Sequence, residues 1–234
     1  MRTMKTQSWA SFAKNLISLN SDVGSDRLWF RGHGSSDWPL TTTLDRFRRF
    51  ANSADRIAYY ENLMTAFRQE IVGIAPRNSL PEDDALDLIA RHHGLPSLLL
   101  DWTTFPYIAS FFAFEAALKA RSRKAAIWVF QPGVLSEQGE QAVDLIEERI
   151  ALWYNPRALD QAGVFMKVKA VDPSLEKLLG DALMRIIIPG SEAPIAMRQL
   201  KSMNITARTL FRDLDGAARA VSIRFAVLDA EGAA

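Results

Sequence analysis

The chain has 234 residues, 48% of them hydrophobic and 24% charged, with a net charge of +1 and no cysteine. That length supports one large domain or two small ones around a real core, and the balance is that of a soluble globular protein. Near-neutral charge gives no global field for nucleic acid or an anionic membrane, and the lack of cysteine excludes disulfides, thiolate metal sites and cysteine nucleophiles.

The first sixteen residues carry early positive charge but no apolar h-region, so no signal peptide is predicted and the chain reads as cytosolic. Trp9, Phe12, Leu16 and Leu19 have the spacing of an amphipathic helix over 8–19. A short strand is predicted over 27–31. After Asn52-Ser53, a plausible helix start, Ile57, Tyr60, Met64, Phe67 and Ile71 repeat at intervals of three and four and predict a long helix. Pro81-Glu82-Asp83-Asp84 opens another helix, with proline and acids at its positive end, and Arg91-His92-His93-Gly94 closes it. A tight connection, LPSLLLDWTT, then feeds the helix FPYIASFFAFEAALKA. That helix is apolar in nearly every direction, so it is predicted to be central and buried. With Glu115 in it, it is too short to span a bilayer.

The second half changes character. Residues 126–130, 164–170, 182–188 and 222–228 read as strands, short, aliphatic and bounded by Pro or Gly. Helical stretches lie near 136–152, 174–180 and 192–202. The expected class is α+β, a helix-rich N-terminal half packed on a mixed, mainly antiparallel sheet formed largely by the C-terminal half. No repeat, low-complexity tract or flexible linker divides the chain.

The most informative stretch is LWFRGHGSSDW, residues 28–38. Strand alternation sets Trp29 and Arg31 on one side, and Gly32-His33-Gly34-Ser35 follows directly. Arg31 offers a planar fork for carboxylate or phosphate, and the glycines would let backbone N–H groups approach an anion. Equally, the stretch reads as a plain strand-to-loop turn, with Arg31 paired to a buried aspartate such as Asp101. Asp101 follows three leucines and must be paired or hydrogen-bonded if buried. Thr103 and Thr104 are natural caps for the helix after them. Adjacent His92 and His93 diverge by about 100° on a helix and cannot readily share one metal, so no metal site is expected. Arg46-Phe47-Arg48-Arg49-Phe50 fits either a grip on single-stranded nucleic acid or a solvated face with its aromatics turned inward. No P-loop, HExxH, paired carboxylates or nucleophile elbow is present.

Four ordered segments resemble the FRG domain family, named for the Phe-Arg-Gly that stands here as Phe30-Arg31-Gly32. They are LWFRGHGSSDWPLTTTLDRF, ARHHGLPSLLLDWTTFPYIASFFAFE, NPRALDQAGVFMKV and ITARTLFRDLDGAA. The likeness implies residues 1–26 as an N-terminal helical extension and 27–234 as a single FRG-type domain. Two positions depart from the family pattern: Leu98 where an arginine is usual, and Arg212 where a proline is usual. FRG domains recur in bacterial and phage-related proteins, which implies a role in bacterial conflict or phage defence. More distantly, the motif order resembles the ADP-ribosyltransferase plan. That plan implies NAD as cofactor, with Arg31 and Gln161 as catalytic residues. Trp29, Arg31, Gly32, His33, Ser35, His93, Asp101, Trp102 and Thr103 would hold the cofactor, with Trp29 or Trp102 stacking on nicotinamide. Because Gln161 is neutral, Asp160, Glu147 or Glu148 would have to supply negative charge. Two readings stay open. One is an NAD-dependent ADP-ribosyltransferase or NAD glycohydrolase. The other is a non-catalytic module that recognises a nucleotide, nucleic acid or protein partner, with no membrane partner expected.

Overall fold

The computed structural model describes residues 1–22, 28–74, 83–147, 156–170 and 174–232. Its strands are β1 Arg2–Lys5, β2 Trp29–His33, β3 Leu99–Thr103, β4 Lys124–Phe130, β5 Val143–Ile146, β6 Gly163–Val168 and β7 Leu183–Pro189. They form one sheet in the order β1-β7-β4-β2-β3-β6-β5. β1 and β7 run parallel, and the other five pairings are antiparallel. The α+β class and the mainly antiparallel sheet are as the sequence predicts.

Around the sheet lie α1 Trp9–Asp22, α2 Thr43–Phe47, α3 Ser53–Glu70, α4 Asp83–His92, α5 Pro106–Ala120 and α6 Glu137–Ala142. The remaining helices are α7 Pro156–Asp160, α8 Leu175–Leu179, α9 Ala193–Ser202, α10 Ala207–Phe211 and α11 Leu214–Gly232. Among the described helices none is long and apolar enough to cross a membrane.

Three predicted elements differ from what the structure shows. Residues 222–228 are not a strand but the middle of α11. Ile223, Phe225 and Val227 alternate like a strand, yet Ile223 and Val227 are also four apart and turn together onto the core beside α5. The connection before α5 contains β3. Its Leu99, Leu100, Trp102 and Thr103 are buried on both faces, so the strand shows no alternation. The helix predicted over 136–152 stops at Ala142 and gives way to β5; Val143 pairs with Val168. Residues 148–152 of that stretch, Pro81 and Glu82 lie outside the described residues.

One face of the sheet packs on α1, α5, α9, α10 and α11. Phe30, Ile127, Val129, Ile186 and Ile188 meet Trp9, Phe12, Phe111 and Phe114 there. Residues 1–22 thus add both a strand and a helix to the same sheet and core. The opposite face holds Trp29, Trp102, Trp128 and Phe130 under Leu178 and Leu179 of α8. A third cluster, with Leu44, Tyr60, Met64, Leu86, Ala90 and Leu98, joins α2, α3 and α4. Leu98 is 3% exposed in that apolar cluster.

The sheet is weakest in its middle. β2 pairs with β4 through five residues, and β3 with β6 through five. β2 and β3 are joined by Phe30 and Thr103 alone. The sheet is therefore two well-laddered blocks meeting at one pair.

Candidate anion-binding site

Where the β2–β3 ladder stops, side chains take over. The Asp101 carbonyl accepts a hydrogen bond from Arg31 Nη1. Arg31 Nε donates to His33 Nε2 at 3.3 Å. The Asp101 carboxylate lies 3.9 Å from Arg31 Nη1 and is gripped by Arg91 of α4, with Nη2 at 2.5 Å and Nε at 3.3 Å. Arg91 Nη1 also donates to Thr43 Oγ1 at 2.9 Å, and the same hydroxyl accepts from Ser97 N at 2.9 Å. This ties α4 to α2 and to the approach of β3. The reading of Arg31 as paired within the protein to Asp101 is what the geometry displays, with Arg91 as the carboxylate's main partner.

The electrostatics are unbalanced. Arg31 and Arg91 act on Asp101, and Arg46 feels both Asp101 and Asp45, the latter already paired with Arg56; four cations thus stand against two anions, a surplus of two. Burial lowers Arg31 to about 10, with Asp101 opposing the shift and Arg91 and Arg46 adding to it. Arg46 is also lowered, first by burial and then by Arg91. Burial works against the charge of Arg91, but Asp101 outweighs it and raises that pKa. Burial disfavours the Asp101 carboxylate, yet Arg91 and then Arg31 hold it below the ordinary range. The Arg31 and Arg91 side chains are 15% and 17% exposed, while that of Asp101 is 47% exposed, so the cluster meets solvent at the carboxylate.

His33 has an obligate donor, Arg31, at Nε2, which leaves its one ring proton on Nδ1, toward the Trp38 carbonyl. Nε2 faces Arg31 Nε, and Nδ1 lies 3.1 Å from Trp128 Nε1 and 3.3 Å from the Trp38 carbonyl. A second ring proton would point at the guanidinium. Burial, then the charge of Arg31, lowers its pKa to about 3, so the ring is neutral at physiological pH. A neutral imidazole here shapes the site and carries no charge to an anion.

The glycines of the turn serve helix packing. A Cβ on Gly32 would lie 2.0 Å from the Ala109 carbonyl oxygen, and one on Gly34 would lie 2.6 Å from Ala116. Both residues thus let α5 lie directly against β2. Ser35 Oγ accepts from Asp37 N at 3.2 Å and closes the turn.

The remaining sequence candidates are distributed as follows. Trp29 and Trp102 are 0% and 3% exposed within the core, each ring against Phe130, so their faces are covered by protein. Thr103 Oγ1 donates to the Gln161 carbonyl at 2.7 Å and accepts from Phe105 N at 3.1 Å; Phe105 is itself the N-cap of α5, which has no side-chain cap bond, so neither threonine caps the helix as expected. Gln161 Nε2 donates to the Leu210 carbonyl at 3.1 Å, so its amide turns toward α10, at the other end of β3 from Leu99. Asp160 pairs with Arg212 at 2.7 Å, Glu147 is exposed just after β5, and Glu148 lies outside the described residues. His93 is exposed after α4, its ring edge-on to that of His92 at 5.1 Å between centroids. The structure brings Arg31, His33 and Asp101 into one hydrogen-bonded set and places Gln161 in another. Among the described residues no three His, Asp or Glu side chains gather to hold a metal ion.

Sequence reasoning overlooked Arg91, Arg46 and Trp38 as parts of this site. Asp101 was the available signal, since an aspartate in so apolar a strand demands a cation and the last turn of α4 offers one. Trp38 is 45% exposed beside His33, with 6.3 Å between ring centroids. In the basic-aromatic run Phe50 packs on Tyr59, but Phe47 is 63% exposed, so only one aromatic turns inward.

Residues 26–122 match the family model described as FRG domain. No curated protein and no solved structure matches the chain.

Proposed function

Starting from the FRG domain that this chain carries over residues 26–122, we propose that it is a nucleotide-recognition module taking a phosphate-bearing ligand beside Arg31, Arg46 and Arg91. The surplus of two positive charges around Asp101 carries this reading. Guanidinium groups bind phosphate oxygens bidentately and keep their charge when partly buried. A pyrophosphate beside the guanidinium groups and clear of the Asp101 carboxylate would offset that surplus. Trp38, an exposed ring beside His33, offers a face to a base or nicotinamide. NAD is the first ligand to test, since its pyrophosphate and two ring systems suit both features.

Recognition without turnover fits the side chains better than glycosyl transfer. An oxocarbenium-like centre needs a carboxylate or an orienting amide beside it. Asp101 is engaged by Arg91, and the Gln161 side-chain amide donates to the Leu210 carbonyl. The test is calorimetric titration of NAD, ADP and adenosine into wild type and Arg46→Glu, an exposed position that leaves the core intact. NAD and ADP are expected to bind and adenosine to fail, with at least tenfold weaker binding in the variant. Binding of adenosine as tight as ADP, or no binding of NAD or ADP at millimolar concentration, overturns the reading. Release of nicotinamide during the titration overturns its non-catalytic part.

A further inference from the structure

Far from the arginine cluster, a cavity of about 540 Å³ opens between α9, α10 and α11 and shares no residue with it. Its floor is apolar. Phe111, Met197, Ala207 and Val227 are all buried and belong to the main core. Its rim carries Arg198, Lys201, Arg208 and Arg224 against the single acid Glu231, which pairs with Arg198. Four cations and one anion leave a surplus of three on a chain whose net charge is +1. The volume lies within the range of about 300–1,000 Å³ of small-molecule sites. The walls offer little for reading a base or a peptide. Thr206, the polar neutral residue among them, uses its hydroxyl to cap α10 through Thr209 N at 3.2 Å.

We propose that this cavity binds a small amphipathic anion, an aliphatic body seated on Phe111 and Met197 with a carboxylate or phosphate head at Lys201 and Arg208. Apolar burial supplies the driving force, and the unbalanced rim selects the sign of the head. Neither requirement involves the phosphate site at Arg31, so this site is independent of the function proposed above.

The test uses dodecanoate, below its micelle concentration, titrated calorimetrically into the full chain, with dodecyltrimethylammonium as the counterpart of opposite charge. Two variants accompany it. Lys201→Glu with Arg208→Glu reverses the rim, and Ala220→Phe fills the cavity from α11. Dodecanoate is expected to bind wild type and to bind each variant at least tenfold more weakly, with the cationic amphiphile also at least tenfold weaker. Sedimentation of the ligand-free chain runs in parallel, because Val221 and Leu228 of the cavity wall and Phe225, also on α11, are exposed. Any of the following overturns the proposal: no uptake by wild type, equal uptake of both amphiphiles, or undiminished uptake by the rim variant. A dimer broken by Phe225→Glu, with no uptake of dodecanoate, would assign the groove to a second copy of the chain and overturn it too. Should Ala220→Phe fail to fold, the rim variant decides alone.

Discussion

Acidification should destabilise this protein through His33 before any carboxylate titrates. The ring is 8% exposed and flanked by the N–H groups of Arg31 and Trp128, and burial followed by the Arg31 charge depresses its pKa to about 3. In the unfolded chain it returns to about 6.5. The folded value is the lower one, so below about pH 6.5 the unfolded state binds the extra proton and stability falls as pH drops toward 3. With those two values, lowering the pH from 8 to 5 costs about 2 kcal/mol from this residue alone. For a chain of this size that corresponds to about 4–8 °C in Tm. The Asp101 carboxyl, itself held low, adds its own acid sensitivity only near and below its unfolded value, close to 4. The window above pH 5 therefore isolates the histidine. Urea unfolding of wild type and His33→Gln at pH 8, 6.5 and 5 measures it. The gap between the two proteins should shrink by about 2 kcal/mol across that range, since glutamine does not titrate. A gap independent of pH would show that His33 is protonated in the fold, and the donor arrangement drawn around it would be wrong.

Two further substitutions test the frame of the site. Gly32→Ala places a methyl 2.0 Å from the Ala109 carbonyl oxygen, which is backbone and cannot swing away. It should cost at least the upper end of about 1–3 kcal/mol seen for overpacking, read as a lower urea midpoint, and a stability equal to wild type would refute the close contact of α5 and β2. Arg56 is 0% exposed, holds both Asp45 oxygens at 2.7 and 2.8 Å, and donates to the Val168 carbonyl at 2.5 Å. Arg56→Ala should cost about 3 kcal/mol, the lower end for a broken buried pair because Asp45 still reaches water. Thermal denaturation showing less than about 1 kcal/mol would mean the pair adds no net stability.

Much of the fold could be read along the chain where periodicity had one interpretation. The apolar spacing of Ile57, Tyr60, Met64 and Phe67 leaves only a helix, and α3 is that helix. Ala126 to Phe130, bounded and aliphatic, is β4. Ambiguity arose where both periods fit, as at Ile223 and Val227, or where burial on two faces erased the pattern, as at Leu99 to Thr103. Arg212 shows another limit. Its φ of 47° is closed to proline, a geometry that appears only in three dimensions. The site was half visible. Arg31, His33 and Asp101 stood out because they are polar residues set in apolar strands. Arg91 looked like an ordinary cation at a helix end, since its partner is ten residues further on and in a different element. The glycines of the turn suggested anion binding when their neighbour is a helix, because spacing cannot tell which surface a bare Cα will meet.

The single pairing of Phe30 with Thr103 also separates the recognisable from the foldable. The FRG segment, residues 26–122, contains β2 and β3 but ends before β4 begins at Lys124 and well before β6 begins at Gly163. Each of its two central strands therefore finds its long ladder in a strand outside the segment, and inside it they share one residue pair. Cut at that boundary, the piece would carry two open strand edges, each a template for another chain. The stretch that matches the family model holds the Arg31–Asp101–Arg91 cluster, and the strands after it carry the ladders on which that cluster rests.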